Sequence, residues 1–115
     1  MTRITKAFDH GNPEAALVTT DEVLIEFLNY FAGAGERKRR IVVGMFEEAM
    51  THAAIEVLPQ TRPSLLRGLD LYKARSDKSY SPTDCISIIT MRERKITRVL
   101  THDRHFAQEG FKVLL

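Results

Sequence analysis

The feature that most constrains this chain is an alternation of short apolar or β-branched runs with longer stretches whose apolar residues recur at helical spacing. The short runs are Ala16-Leu17-Val18-Thr19, Ala54 to Leu58, Thr97 to Thr101 and Phe111 to Leu115. They have strand length, and Pro59 and Gly110 punctuate two of them. Strands separated by amphipathic helices predict an α/β fold, a parallel sheet with helices on both faces.

The helical stretches can be placed individually. Thr20 is a natural N-cap for a helix from Asp21 to about Phe31, with Val23, Leu24, Phe27, Leu28 and Phe31 on one face. Gly33 and Gly35 end it, and a second helix runs from about Glu36 to Thr51 with Ile41, Val42, Met45, Phe46 and Met50 inward. Ser64 is expected to cap a third, with Leu65, Leu66, Leu69 and Tyr72 toward the core. A fourth spans Thr83 to about Glu93 and buries Ile86, Ile89 and Thr90; Arg104 to Glu109 is a short helical turn. The opening residues to Phe8 read as the end of a helix, broken by His10-Gly11-Asn12-Pro13.

At 115 residues the chain is the size of one domain. Its formal charge of +2 is too small to imply a nucleic-acid partner by itself. One cysteine, Cys85, excludes an internal disulfide and any multi-cysteine metal site. No apolar stretch approaches the ~20 residues of a membrane span, and the N-terminus lacks a signal-like apolar core. A cytoplasmic protein without a membrane partner is expected.

Ligands of parallel α/β sheets bind beyond the carboxyl ends of the strands. Three acids are expected there. Asp103 follows the strand ending at Thr101, Asp84 stands in the first turn of its helix, and Glu26 lies one turn into the first helix. Helical geometry puts Glu26 at the edge of the apolar stripe, half-buried, with Glu22 further out. Clustered carboxylates repel one another unless a divalent cation lies between them, and magnesium takes oxygen ligands of this type. Each acid also has a plainer reading: Asp84 as a helix-start acid favoured by the macrodipole, Asp103 as a turn residue, Glu26 as a solvated helix glutamate.

The basic run Arg37-Lys38-Arg39-Arg40 could contact phosphates or form a solvated helix start. Arg104, beside Asp103, is the better candidate for a phosphate near the acids. His10, His52, His102 and His105 show no paired metal-ligand spacing, and Cys85 has no visible base to activate it.

Two groups of residues carry a resemblance. Asp77 to Ser87, containing Ser81-Pro82-Thr83-Asp84-Cys85, and Val99 to Phe111, containing Thr101-His102-Asp103-Arg104-His105-Phe106, are similar to the C-terminal half of PIN-domain proteins. Leu17 to Asn29 resembles the second strand and glutamate-bearing helix of that family. The resemblance, to VapC-like toxin ribonucleases in particular, implies a three-layer α/β/α fold and RNA hydrolysis assisted by Mg2+ or Mn2+. It makes Glu26, Asp84 and Asp103 the catalytic and metal-site acids. Thr101 becomes the hydroxyl that orients the last acid, and Ser81 and Thr83 become small polar residues beside the site. It further implies an antitoxin partner and a homodimer.

The departure is at the start. PIN domains open on a central strand with a further aspartate in a Leu-Asp-Thr/Ser pattern, and no such strand is read here. The expectation is therefore one domain, residues 1–115, N-terminally truncated and lacking the central strand. Its alternative role is that of a catalytically impaired remnant that binds a partner.

Overall fold

The computed structural model describes residues 17–115 throughout and the backbone of Ile4–Lys6. Asp9 and the His10 to Pro13 break lie outside the described residues. Among the described residues five strands form one sheet: β1 (Ile4–Lys6), β2 (Leu17–Thr20), β3 (Ile55–Leu58), β4 (Arg98–Leu100) and β5 (Lys112–Val113). Their spatial order is β3-β2-β1-β4-β5. Among the described residues the helices are α1 (Asp21–Tyr30), α2 (Glu36–Thr51), α3 (Arg62–Ala74), α4 (Pro82–Glu93) and α5 (His105–Gln108).

The centre of the sheet corrects two expectations. Ile4–Lys6 form a strand rather than the end of a helix, and the central position is not vacant, because β1 fills it. β1 runs antiparallel to both neighbours, with Thr5 opposite Val18 on one side and Val99 on the other. β2 and β4 would otherwise face each other across a gap with unmet backbone groups, which buried structure does not tolerate. Thr5 and Lys6 each meet a strand on both sides, and Ile4 pairs with Leu100 of β4. The sheet is therefore mixed, with parallel pairing kept at β2–β3 and β4–β5.

Local chemistry explains most boundaries. Thr20 caps α1 by accepting from Val23 N (3.2 Å). α3 starts earlier than expected. Thr61 is its N-cap, and Ser64 is the reciprocal partner in a capping box. Ser81 caps α4, whose first residue Pro82 needs no hydrogen-bond acceptor for a missing N–H.

α4 is the organising helix. Asp84, Cys85, Ile86, Ser87, Ile88 and Met91 are all buried. With Val18, Leu71, Tyr80, Ile96, Val99 and Phe106, its Cys85, Ile88 and Met91 form the core cluster. α3 packs on α4 so closely that a Cβ on Gly68 would overlap the Ile86 side chain.

The faces of α2 and α3 differ from their expected ones. On α2 Val42 is buried, but Ile41, Met45 and Met50 are 54%, 53% and 49% exposed. On α3 the inward residues are Gly68 and Leu71, while Leu66, Leu69 and Tyr72 are exposed. Both helices carry apolar residues on more than one side, so their neighbours decide which side is covered. Among the described residues no helix is long and apolar enough to cross a membrane.

Candidate active site

Asp84 owes its position to the entry of α4. Ser81 Oγ accepts from Asp84 N (3.0 Å), and Asp84 Oδ2 accepts in return from Ser81 N (3.0 Å). This capping box fixes the carboxylate, which is only 2% exposed. A buried carboxylate is costly unless hydrogen bonds or a cation offset its desolvation.

Asp103 is set by the turn after β4. Thr101 is fully buried, and its Oγ1 accepts from Asp103 N (3.1 Å). Asp103 Oδ1 in turn accepts from His105 N (2.9 Å), the aspartate-to-backbone bond that starts α5. That bond brings the imidazole over the acids. His105 Nδ1 lies 3.1 Å from Asp103 Oδ1 and 3.5 Å from Asp84 Oδ2. Nδ1 is itself buried, and makes no hydrogen bond at either oxygen.

A second buried carboxylate holds this corner together. Glu109, its side chain 6% exposed, accepts from Arg75 Nε (3.0 Å) and Nη2 (3.2 Å), from Arg92 Nη2 (2.6 Å) and from Tyr80 Oη (2.9 Å). The hydrogen bonds from Arg75 lead in drawing its pKa from 4.5 down to about 2, against the opposing effect of burial. Tyr80 is pushed up to about 12, first by burial and then by its bond to Glu109. The Tyr80 ring centroid lies 5.1 Å from that of His105. The clamp thus joins the ends of α3, α4 and α5 and reaches the imidazole. Nothing in the sequence marks Glu109, because its three partners are distant along the chain.

The remaining expected residues are distributed as follows. Ser81 is the α4 cap, and Thr83 is half-buried in the same turn. Glu26 is half-buried on α1 as its helical position predicts, and α1 packs against α4. Glu26 does not belong to the group of Asp84, Asp103 and His105, whose donor atoms all lie within 4.8 Å of one another. Glu22, expected further out, is instead buried at 9% exposure. It lines a recess between α1, α3 and α4 with Thr20, Thr90 and Arg94.

Arg37, Lys38, Arg39 and Arg40 are exposed on α2, with Arg40 paired to Glu36 (2.7 Å). Arg39 and Arg40 line an open recess with Gly33 and Gly35. Arg104 is exposed at the start of α5. Cys85 is fully buried, and its thiol is raised by that burial and, second, by the charge of Asp84.

His105 is the residue that spacing along the sequence missed. Its partner is not a second histidine but an aspartate two residues earlier, with His105 at the first residue of a helical turn. The three donors fit a divalent cation. In an octahedral site with bonds near 2.1 Å, adjacent ligand atoms lie about 3 Å apart. The contacts of 3.1 and 3.5 Å from His105 are of that order.

No curated protein matches the sequence significantly. Among solved structures the fold is similar to the VapC20 toxin of Mycobacterium tuberculosis, described as cleaving the sarcin-ricin loop. The TM-score is 0.76 at 19% identity, over 94% of this chain and 86% of that one. The PIN domain family profile matches residues 2–112. With that span and this fold, the chain belongs to the PIN domain family.

Proposed function

We propose that this chain is a divalent-cation-dependent endoribonuclease of the VapC toxin type. One observation carries the reading. In a PIN-family chain, two separate local motifs, the α4 capping box and the turn after β4, bring Asp84 and Asp103 into one cluster. A bound Mg2+ or Mn2+ would neutralise charge on the phosphate and activate water for its hydrolysis. Asp84 and Asp103 would hold the ion, with Glu26 on the neighbouring helix contributing to the same acidic surface. Ser81 and Thr101 fix where the two aspartates stand, and Thr83 lies beside Asp84 in the first turn of α4. Arg104 would meet a phosphate beside the acids, and the exposed Arg37 to Arg40 run would track the backbone further away.

On this reading the substrate is RNA. The protein works in the cytoplasm as one domain, its partner is a cognate antitoxin, and homodimerisation is expected. The structural likeness to a toxin that cleaves the sarcin-ricin loop makes a ribosomal hairpin the first substrate to try. The test is cleavage of such a hairpin and of total RNA, with Mg2+, Mn2+ or chelator present. Activity abolished by chelator and by Asp84→Asn, in a variant that still melts cooperatively, is the expected outcome. Wild-type protein inert with both ions would refute it.

A second reading has its own observation. The central strand Ile4-Thr5-Lys6 contains no carboxylate, so the family's first-strand acid is not supplied there. A catalytically impaired domain that retains partner binding would explain that difference. It predicts no cleavage under any condition but retained binding of an antitoxin.

A further inference from the structure

We infer that His105 is a direct ligand of the Asp84–Asp103 site, and that its imidazole makes the site prefer manganese and softer divalent ions over magnesium. The inference rests on the metal-site reading proposed above and assigns a residue and a selectivity to it.

The imidazole is held rather than merely nearby. His105 is the first residue of α5, and its backbone N–H is tied to Asp103 Oδ1 at 2.9 Å. The next residue, Phe106, is fully buried and anchors the turn in the core. At the far end of α5 the Glu109 clamp fixes the turn to α3 and α4. Tyr80, part of that clamp, lies beside the ring. With the turn so held, Nδ1 stands 3.1 Å from an oxygen of Asp103 and 3.5 Å from one of Asp84.

What Nδ1 does there is the second observation. It is buried, close to an oxygen of each aspartate, and yet hydrogen-bonded to neither. A histidine serving as an ion-pair partner would aim an N–H along one of those contacts. A nitrogen near two oxygens without aiming at either matches donors converging on a common point. The three donor atoms lie within 4.8 Å of one another, close enough to share one ion.

The charge count and donor type then set the selectivity. Two carboxylates balance one divalent ion, so a neutral imidazole completes the set without adding repulsion. Magnesium is bound by oxygen and gives up its waters reluctantly, whereas imidazole suits the first-row transition ions. The strand residues Ile4–Lys6 carry no carboxylate, and among the described residues the donor grouped with the two aspartates is the His105 nitrogen.

The experiment uses the full chain, free of any histidine tag, and two readouts that do not depend on cleavage. The first is pulsed electron paramagnetic resonance of bound Mn2+, where a ligating imidazole gives a nitrogen-14 coupling. The second is calorimetric titration with Mn2+ and Mg2+ for wild type, Asp84→Asn and His105→Gln. The nitrogen coupling should be present in wild type and absent in His105→Gln. Mn2+ affinity should fall at least about tenfold in His105→Gln while Mg2+ affinity changes little, collapsing the preference. Asp84→Asn should weaken both ions. Mn2+ bound at a site sensitive to Asp84→Asn but without nitrogen coupling would overturn the role of His105 and leave the metal-site reading standing. No Asp84-dependent binding of either ion would sink both. The spectroscopic readout on wild type decides the matter even if His105→Gln folds poorly.

Discussion

Replacing Glu109 by glutamine should destabilise the protein strongly at neutral pH and hardly at all in acid. The side chain is 6% exposed and meets two arginines and a tyrosine hydroxyl, at 2.6 to 3.2 Å. Its pKa is lowered from 4.5 to about 2, chiefly by the hydrogen bonds from Arg75. At about 1.4 kcal/mol per unit, that shift corresponds to roughly 3 kcal/mol favouring the charged form in the fold. Arg75 and Arg92 are 35% and 40% exposed, so solvent screening reduces the expected contribution to about 2 kcal/mol. A depressed carboxylate stabilises fully above its unfolded pKa, and the contribution is lost as pH falls through the folded value. The difference between wild type and Glu109→Gln should therefore be full at pH 7, shrink below about pH 4.5 and vanish near pH 2. At neutral pH, about 2 kcal/mol corresponds to roughly 8 °C in melting temperature for a domain of this size. Urea unfolding of both proteins from pH 7 to pH 2.5 measures the difference directly. A difference under about 0.5 kcal/mol at pH 7, the level of an ordinary surface substitution, or one unchanged down to pH 2.5, would refute the clamp.

Three further outcomes follow from packing and capping. Gly68→Ala should cost about 1–3 kcal/mol in thermal or urea unfolding, because the added methyl meets Ile86 where α3 crosses α4; a neutral effect would mean that the helices can separate freely. Ser81→Ala removes the cap of α4 and should cost about 1 kcal/mol by the same measurement. It should also weaken Mn2+ binding, since the capping box fixes Asp84. Alkaline titration followed by tyrosine absorbance should show one phenol ionising near pH 12, lost in Tyr80→Phe. Because that pKa is raised on folding, the associated stability is present below pH 10 and disappears as pH climbs to about 12.

The elements that the sequence made legible are those whose causes are local. Thr20 caps α1 because its hydroxyl reaches an amide three residues on, and that needs no knowledge of the rest of the fold. α3 was displaced by a few residues because both Thr61 and Ser64 take part in its capping box, and either could pass for the cap. The faces of α2 and α3 were illegible for a different reason. Apolar residues surround much of each helix, so periodicity supplies several candidate stripes, and only contact with α4 and the sheet selects among them. β1 is the extreme case. A three-residue strand has no periodicity to read, and its strand character comes from the unmet ladders of β2 and β4 on either side.

The same division runs through the site. Asp84 and Asp103 were recognisable because each sits in a compact motif that fixes it through neighbours within three residues. Helical position placed Glu26 half-buried, but it misplaced Glu22, whose burial depends on where α3 and α4 close over the start of α1. His105 required one further step. Its backbone bond to Asp103 is local, but the proximity of its ring to Asp84 depends on α4 bringing a residue 21 positions earlier in the chain. Glu109, with partners 17 to 34 residues away, could not be read in advance at all. Buried charge is tolerated when donors surround it, so this glutamate commits the ends of three helices to one arrangement. That arrangement holds the His105 imidazole over the two aspartates. Loosening the clamp should therefore weaken metal binding without altering any atom within the site.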